Sequence, residues 1–243
     1  MEQPRQTPKK LPPRPVRTLA VDIGGTGLKA LVLSATGKPL SKRVRIKTPR
    51  PATPGAVINA IVEMVKTQGK FDRVSVGFPG VVRHGVTVTA PNLDGNWRGY
   101  KLVETLSKKL GKPVRVANDA DVQGYGAIAG CGVELVITMG TGMGSALFVD
   151  GRLVPNLEMA HHPFQRGRTY EELLGDKARK KIGKKKWNKR LQRAIATLEH
   201  LFNYDRLYIG GGNAQKIVVK LPSNTRIVEN VAGLLGGIAL WRD

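Results

Sequence analysis

The sequence predicts an α/β protein of two lobes around a central cleft, and three observations carry that prediction. Apolar, β-branched runs flank a glycine turn in residues 19–33, and the same pattern returns in residues 134–149. Between and after these hairpins the apolar spacing switches from strand period to helix period. The chain has 243 residues, 41% of them hydrophobic, enough for one large core or two modest ones. Residues 16–117 are expected to form the smaller lobe and 118–228 the larger. A C-terminal helix over 229–243 is expected to pack back on the smaller lobe, and residues 1–15 read as a basic tail without fixed structure.

Taken in order, residues 16–33 give the first hairpin and 44–48 a third strand. Residues 49–54 are proline-rich. Thr53 is placed to cap a helix over 54–68 with Pro54 in its first turn. Ala56, Val57, Ala60, Ile61, Met64 and Val65 recur at helical spacing. A strand over 74–78 ends in Pro79-Gly80, and His84-Gly85 centres a second hairpin. Residues 90–99, rich in Asn, Asp, Gly and Pro, read as loop. An amphipathic helix over 101–110 stops at Gly111. The strand 114–117 then delivers Asn118-Asp119-Ala120-Asp121, and a helix is expected over 122–130.

The second half opens with a strand over 134–139, the turn Gly140-Thr-Gly-Met-Gly144 and a returning strand over 145–149. This repeats the opening theme and suggests duplication of a βββαβα unit. A helical region begins near Thr169. Residues 177–193 are densely basic. The helix over 187–202 carries Leu191, Ala194, Ile195, Leu198 and Leu201 on one stripe. The strand 206–209 ends in Gly210-Gly-Gly-Asn213, and a small-residue-rich helix is expected over 228–241.

Composition narrows the function classes. Cys131 is the single cysteine, which excludes an intramolecular disulfide and a cysteine-rich zinc site and suits a reducing, cytoplasmic setting. No apolar run reaches the roughly 18 residues of a membrane span, and the N-terminus has no apolar core of a secretory signal. Lys and Arg number 40 against 18 Asp and Glu, a formal charge of +22. Such a surface attracts a polyanion: nucleic acid, an anionic membrane or inorganic polyphosphate.

The first glycine turn has the chemistry of a phosphate cradle. Gly24 and Gly25 let backbone N–H groups approach an anion closely. Thr26 adds a hydroxyl and Lys29 a positive charge, while Asp22 can hold a cation directly or through water. The spacing is not that of a Walker A loop, which needs a Gly-Lys pair opening a helix. Taken alone, an ordinary glycine hairpin explains it equally well.

Asp22-Ile-Gly-Gly-Thr-Gly27, Asn118-Asp119, Gly140-Thr-Gly-Met-Gly144 and Gly210-Gly-Gly212 stand in order at plausible spacing. With Gly77-Phe-Pro-Gly-Val-Val82, Ala90-Pro-Asn-Leu-Asp94, Trp97 and Leu153-Val-Pro-Asn-Leu-Glu158, the set closely resembles the ROK family of sugar kinases, most of all its polyphosphate-using glucokinases. The resemblance spans roughly residues 17–241. It implies the actin-like ATPase (ribonuclease H-like) fold and phosphoryl transfer from inorganic polyphosphate, ATP or both to the 6-hydroxyl of glucose. It further implies Mg²⁺ near Asp22, a homodimer, and no zinc, since the family's cysteine motif is absent. Two departures stand out: Ala160 replaces glycine in the family's Glu-x-Gly-His, and the segment after Gly212 is short.

Within that resemblance, Asp119 is the candidate general base, because an ordinary carboxylate suffices to orient a hydroxyl and take its proton late. The alternative is that Asn118-Asp119 caps a helix, and the two roles can coexist. Asn92, Asn118, Asp119, Glu158, His161 and Glu171 match the family's sugar-contacting positions. Gly24, Gly25, Thr26, Lys29, Thr141, Gly142, Gly144, Gly211 and Gly212 are assigned to the phosphoryl donor. Lys180, Lys181, Lys184, Lys185 and Lys186 are either a solvated face or a track for a long polyanion. The rivals are an ATP-dependent kinase of another hexose or amino sugar and, in a different class, a polyanion- or nucleic-acid-binding pseudokinase. The short N-terminal segment leaves no room for the helix-turn-helix module of the family's repressors, which disfavours nucleic acid.

Overall fold

The computed structural model describes residues 15–228 and 236–242. The chain opens with strands β1 (Thr18–Ile23), β2 (Gly27–Leu33) and β3 (Val44–Lys47) in antiparallel succession. Helix α1 (Pro54–Lys66) starts at Thr53, whose hydroxyl accepts the Ala56 N–H. Strand β4 (Arg73–Phe78) runs parallel to β1. A short hairpin follows, β5 (Val82–Arg83) and β6 (Val86–Thr87), turning through His84 and Gly85 at φ 50° and 77°. Helix α2 (Leu102–Leu110) ends on Gly111 in the left-handed region, and β7 (Val114–Asn118) pairs with β4. The first sheet has the order β3-β2-β1-β4-β7.

Side chains alternate across this sheet, so each strand serves two faces. Leu19, Val21, Ile23 and Leu28 pack against Val57, Ile58 and Ile61 of α1 and Leu102 and Leu106 of α2. Ala20, Leu31 and Leu33 of the other face meet Ile238. There the 3₁₀ turn Gly236–Trp241 lies across β1, β4 and β7. Ser75 Oγ donates to the Gly237 carbonyl at 2.5 Å, and the Trp241 ring sits beneath the guanidinium groups of Arg73 and Arg115. The helix expected over 228–241 is therefore a 3₁₀ turn in its described part; residues 229–235, like the tail over 1–14, lie outside the described residues.

Helix α3 (Asp119–Tyr125) crosses from the first sheet to the second. It begins earlier and ends sooner than the expected 122–130. Asn118 Oδ1 accepts the Ala120 N–H and so starts the helix at Asp119. It ends at Tyr125, with the Gly126 N–H donating to the Gln123 and Gly124 carbonyls, and the fully buried Glu134 holds the loop that follows by accepting the N–H groups of Ala129, Gly130 and Cys131 and the Tyr208 hydroxyl. A buried carboxylate is tolerated because donors surround it.

The second sheet consists of β8 (Val133–Met139), β9 (Met143–Val149), β10 (Arg152–Val154), β13 (Arg206–Gly210) and β14 (Thr225–Ile227). Between β10 and β13 come the hairpin β11 (Pro163–Gln165) and β12 (Arg168–Thr169) and helices α4 (Tyr170–Leu174), α5 (Asp176–Ile182) and α6 (Lys184–Phe202). The order β10-β9-β8-β13-β14 repeats that of the first sheet, hairpin strands on one side and parallel strands on the other. This matches the duplication suggested by the repeated glycine turns. Trp187, Leu191, Ile195 and Leu198 of α6 pack on Leu135, Ile137, Leu207 and Ile209. Leu201, read as part of that stripe, is 56% exposed. Thr169 and Glu172 form a reciprocal capping box at the start of α4.

Candidate active site

Each sheet carries a glycine hairpin, and α3 starts between them. In the first turn, the Gly24 N–H donates to the Gly27 carbonyl at 3.0 Å. A Cβ on Gly24 would lie 2.9 Å from that oxygen, so the turn excludes larger residues. Thr48 Oγ1 donates to the Gly24 carbonyl at 2.5 Å and Arg50 to the Gly25 carbonyl at 2.7 Å. The turn's carbonyls are thus held by protein groups. In the second turn, the Gly140 N–H donates to the Gly142 carbonyl, while the Asp176 N–H and Asn213 Nδ2 donate to the Gly140 carbonyl. Gly211, at φ 87°, passes so close to Met139 that a Cβ would collide with its backbone.

A cavity of about 370 Å³ lies between the two turns. Its walls include Asp22, Gly24, Gly25, Thr26 and Lys29 from the first hairpin and Thr141, Gly142 and Gly144 from the second, with Gly211 beside them. Asn92, Asn118, Asp119, Glu158, His161 and Glu171 complete it. Of the residues assigned from sequence to the sugar and donor, Gly212 alone falls outside this lining: it sits one position beyond the close approach at Gly211. Lys180, Lys181, Lys184, Lys185 and Lys186 are exposed on α5 and the first turn of α6, outside the cleft, and Lys180 pairs with Asp176 at 2.7 Å.

Asp119 stands at the first position of α3, above Gly77 of β4. Burial pushes its carboxyl up to about 7, helped by the negative charges of Asp22 and Glu158 and opposed by the Ala120 N–H and Lys29. This exceeds what the sequence required of the candidate base. Asn118 caps α3 through Oδ1, while its Nδ2 faces the cleft and donates to the Gly80 carbonyl at 3.3 Å and to Glu158 Oε1 at 3.5 Å. Glu158 also meets His161 Nε2 at 3.3 Å, and burial raises its pKa, with His161 opposing and Glu171 adding. Ser145 fixes this loop by donating to the Leu157 carbonyl at 2.7 Å and accepting the Met159 N–H.

Glu171 faces the cleft, but its Oε2 accepts the Met143 N–H at 3.1 Å and crowds Gly142. It braces the second glycine turn. Ala160 sits buried in the 3₁₀ turn Met159–His161 without a left-handed backbone, so its methyl group is accommodated where the family pattern has glycine.

Asp22 pairs with Lys29 at 2.6 Å, and among the described residues no cluster of three or more metal-ligating side chains exists. One carboxylate beside the cleft suits a hard cation bound through that carboxylate, waters and substrate phosphates, as Mg²⁺ commonly is. Among the described residues no helix is long and apolar enough to cross a membrane.

Sequence reasoning missed Arg50, Gln123, Thr138 and Ser145 in the cleft wall. It also missed Asp121, whose buried carboxyl is pushed up to about 7 by burial and by Asp119 and Glu158. The spacing Asp119-x-Asp121 was the available signal for the last.

Comparison with known proteins agrees with this geometry. The ROK family model matches residues 18–160. Polyphosphate glucokinase of Mycobacterium tuberculosis is 36% identical over 233 residues, which cover 89% of this chain and 88% of that protein. The crystal structure of the inorganic polyphosphate/ATP-glucomannokinase of Arthrobacter sp. strain KM superposes with a TM-score of 0.83 at 34% identity, covering 93% of this chain and 100% of the other. A ROK family glucokinase of Streptomyces griseus, solved with glucose and AMPPNP, shares the fold with a TM-score of 0.75 at 22% identity, covering 92% and 98%. The repeated sheets, the cleft between glycine turns and these similarities lead to one conclusion: the chain belongs to the ROK family and has its two-lobed, actin-like ATPase fold.

Proposed function

We propose that this protein transfers a phosphoryl group from inorganic polyphosphate, with ATP as a second donor, to the 6-hydroxyl of glucose. The observation that carries the reading is the position of Asp119, between two glycine turns in one cleft. The 34% and 36% identities to proteins named for polyphosphate-dependent sugar phosphorylation support the choice of donor and sugar.

Asn92, Asn118, Glu158 and His161 supply fixed donors and acceptors for the sugar hydroxyls, which are costly to bury unpaired. Asp119 receives the proton of the attacking hydroxyl. Little of that transfer precedes bond breaking at phosphorus, so holding the hydroxyl in line matters more than basic strength. Lys29 and the backbone of both glycine turns hold the donor's terminal phosphates, and closure of the lobes excludes water. Asp22 would hold Mg²⁺, which would supply charge neutralisation to the donor phosphates. The exposed lysines of α5 and α6 steer a polyanion towards the cleft. The same reading, through the family resemblance, makes the protein a cytoplasmic homodimer.

The test is glucose phosphorylation with Mg²⁺, comparing long-chain polyphosphate with ATP at matched ionic strength and detecting glucose 6-phosphate. A higher kcat/KM for polyphosphate is expected. Preference for ATP would overturn the donor assignment, and inactivity towards glucose with both donors would overturn the sugar assignment.

A further inference from the structure

A second groove, of about 460 Å³, opens beside the first glycine turn and is lined by Thr26, Arg45, Ile46, Lys47, Thr48 and Arg50. Thr26 and Arg50 also line the catalytic cleft, so the two spaces meet at the tip of the turn. The strand register explains its charge. Asp22 lies opposite Lys29, Lys29 opposite Arg45, and Gly27 opposite Lys47. Directly paired residues project from the same face of a sheet, so Lys29, Arg45 and Lys47 form one file leading away from Asp22. The missing side chain at Gly27 makes room for it: a Cβ there would sit 2.9 Å from Arg45 Nε.

We infer that this groove carries the tail of an inorganic polyphosphate donor, whose terminal phosphates occupy the cleft; the inference rests on the polyphosphate reading given above. Arg45 and Lys47 are exposed and have no carboxylate partner among the described residues. No acid lines the groove, whereas Asp22, Asp119, Glu158 and Glu171 line the cleft. Protection of an edge strand accounts for charge on β3. It does not account for a concavity continuous with the donor turn. The lining also lacks aromatic side chains, on which a single-stranded nucleic acid would stack its bases. A bare phosphate chain needs only cations and hydroxyls, which Arg45, Lys47 and the exposed Thr26 provide, while Thr48 and Arg50 hold the wall through their bonds to the glycine turn. The lysines of α5 and α6 do not reach either space.

The test compares the double variant Arg45→Ala/Lys47→Ala with wild type and with Lys184→Ala/Lys185→Ala/Lys186→Ala. Donors are long-chain polyphosphate, tripolyphosphate and ATP, and direct binding of long-chain polyphosphate is measured across a salt series. The double variant should raise KM for long-chain polyphosphate about tenfold, by loss of two charge-assisted contacts, and leave tripolyphosphate and ATP within about twofold. Its log-affinity against log-salt slope should flatten by about 1.4, roughly 0.7 for each of the two charges removed. The triple lysine variant should do less. Arg45→Gln/Lys47→Gln, which keeps side-chain bulk, serves as the second variant if the alanine form does not fold. Unchanged KM for the long donor, equal loss on tripolyphosphate, or a larger effect of the triple variant would overturn the groove assignment. So would single-stranded RNA binding wild type as tightly as polyphosphate and weakening in the double variant. Wild type that phosphorylates glucose from ATP but neither uses nor binds polyphosphate would instead overturn the donor reading, and the groove assignment with it.

Discussion

Asp119 and Asp121 illustrate how two carboxyls two residues apart acquire different duties. Both are pushed up to about 7, chiefly by burial, but only Asp119 faces the cleft. As a base Asp119 works ionised, so kcat/KM for glucose should rise with pH through about 7 and level off above it. Asp119→Asn should lower kcat by about 10²–10⁴-fold, leave glucose affinity within a few-fold, and abolish that acid limb; steady-state pH profiles and calorimetric titration of glucose check this. Asp121 has one carboxylate oxygen buried without a hydrogen-bond partner. Its folded pKa lies above its unfolded value of about 3.9, so the folded state binds the extra proton and stability falls as pH rises from about 4 to about 7. Asp121→Asn should flatten that fall and raise stability at pH 8 by about 1–3 kcal/mol. Melting curves across pH decide it, and a steeper fall in the variant would refute the assignment. Ala160→Gly should leave kcat/KM within about threefold and cost about 1 kcal/mol, since only a buried methyl is lost. A large gain in activity would mean that Ala160 obstructs the sugar.

At the level of elements, the glycine hairpins hold their shape through partners distant in sequence. Thr48 and Arg50 hold the first turn, and Asn213, Asp176 and Glu171 brace the second. Arg50 also donates to Asp94 at 2.9 Å, and Asp94 accepts the Ala52 N–H at 2.7 Å. One side chain therefore joins the first glycine turn to the loop bearing Asn92. Arg50→Ala should raise KM for both donor and glucose, whereas a solvated arginine would affect neither. Gly211→Ala should destabilise the fold by about 1–3 kcal/mol, because its backbone is left-handed and Met139 blocks the methyl; thermal denaturation reads the loss. Thr53→Ala should cost about 1 kcal/mol through the lost cap of α1 without changing either KM.

Across the whole molecule, two sheets of one topology both pack against α3, and the cleft is lined from both. Glucose at about 100 times its Kd should stabilise the fold by about 2.7 kcal/mol and reduce the radius of gyration seen by small-angle scattering. The +22 charge acts at this scale too: raising salt should slow productive encounter with long-chain polyphosphate more than with ATP.

Most elements were legible from local chemistry. The glycine turns, the Thr53 cap, the Gly111 stop and the His84-Gly85 hairpin each depend on conformational preferences of a few adjacent residues. The order of motifs also located nearly all of the cleft, because phosphate cradles and capped carboxylates are built from contiguous residues. What the sequence could not determine depends on distance in the chain. Glu134 can be buried as it is only because its donors come from a loop and from Tyr208 of another strand. Asp119 acquires its raised pKa only once the fold buries it and brings Asp22 and Glu158 beside it. Lys29, Arg45 and Lys47 become one file only when β2 and β3 pair in register. Local preference and periodicity set each element; burial, charge proximity and cross-strand register arise only when separate elements meet.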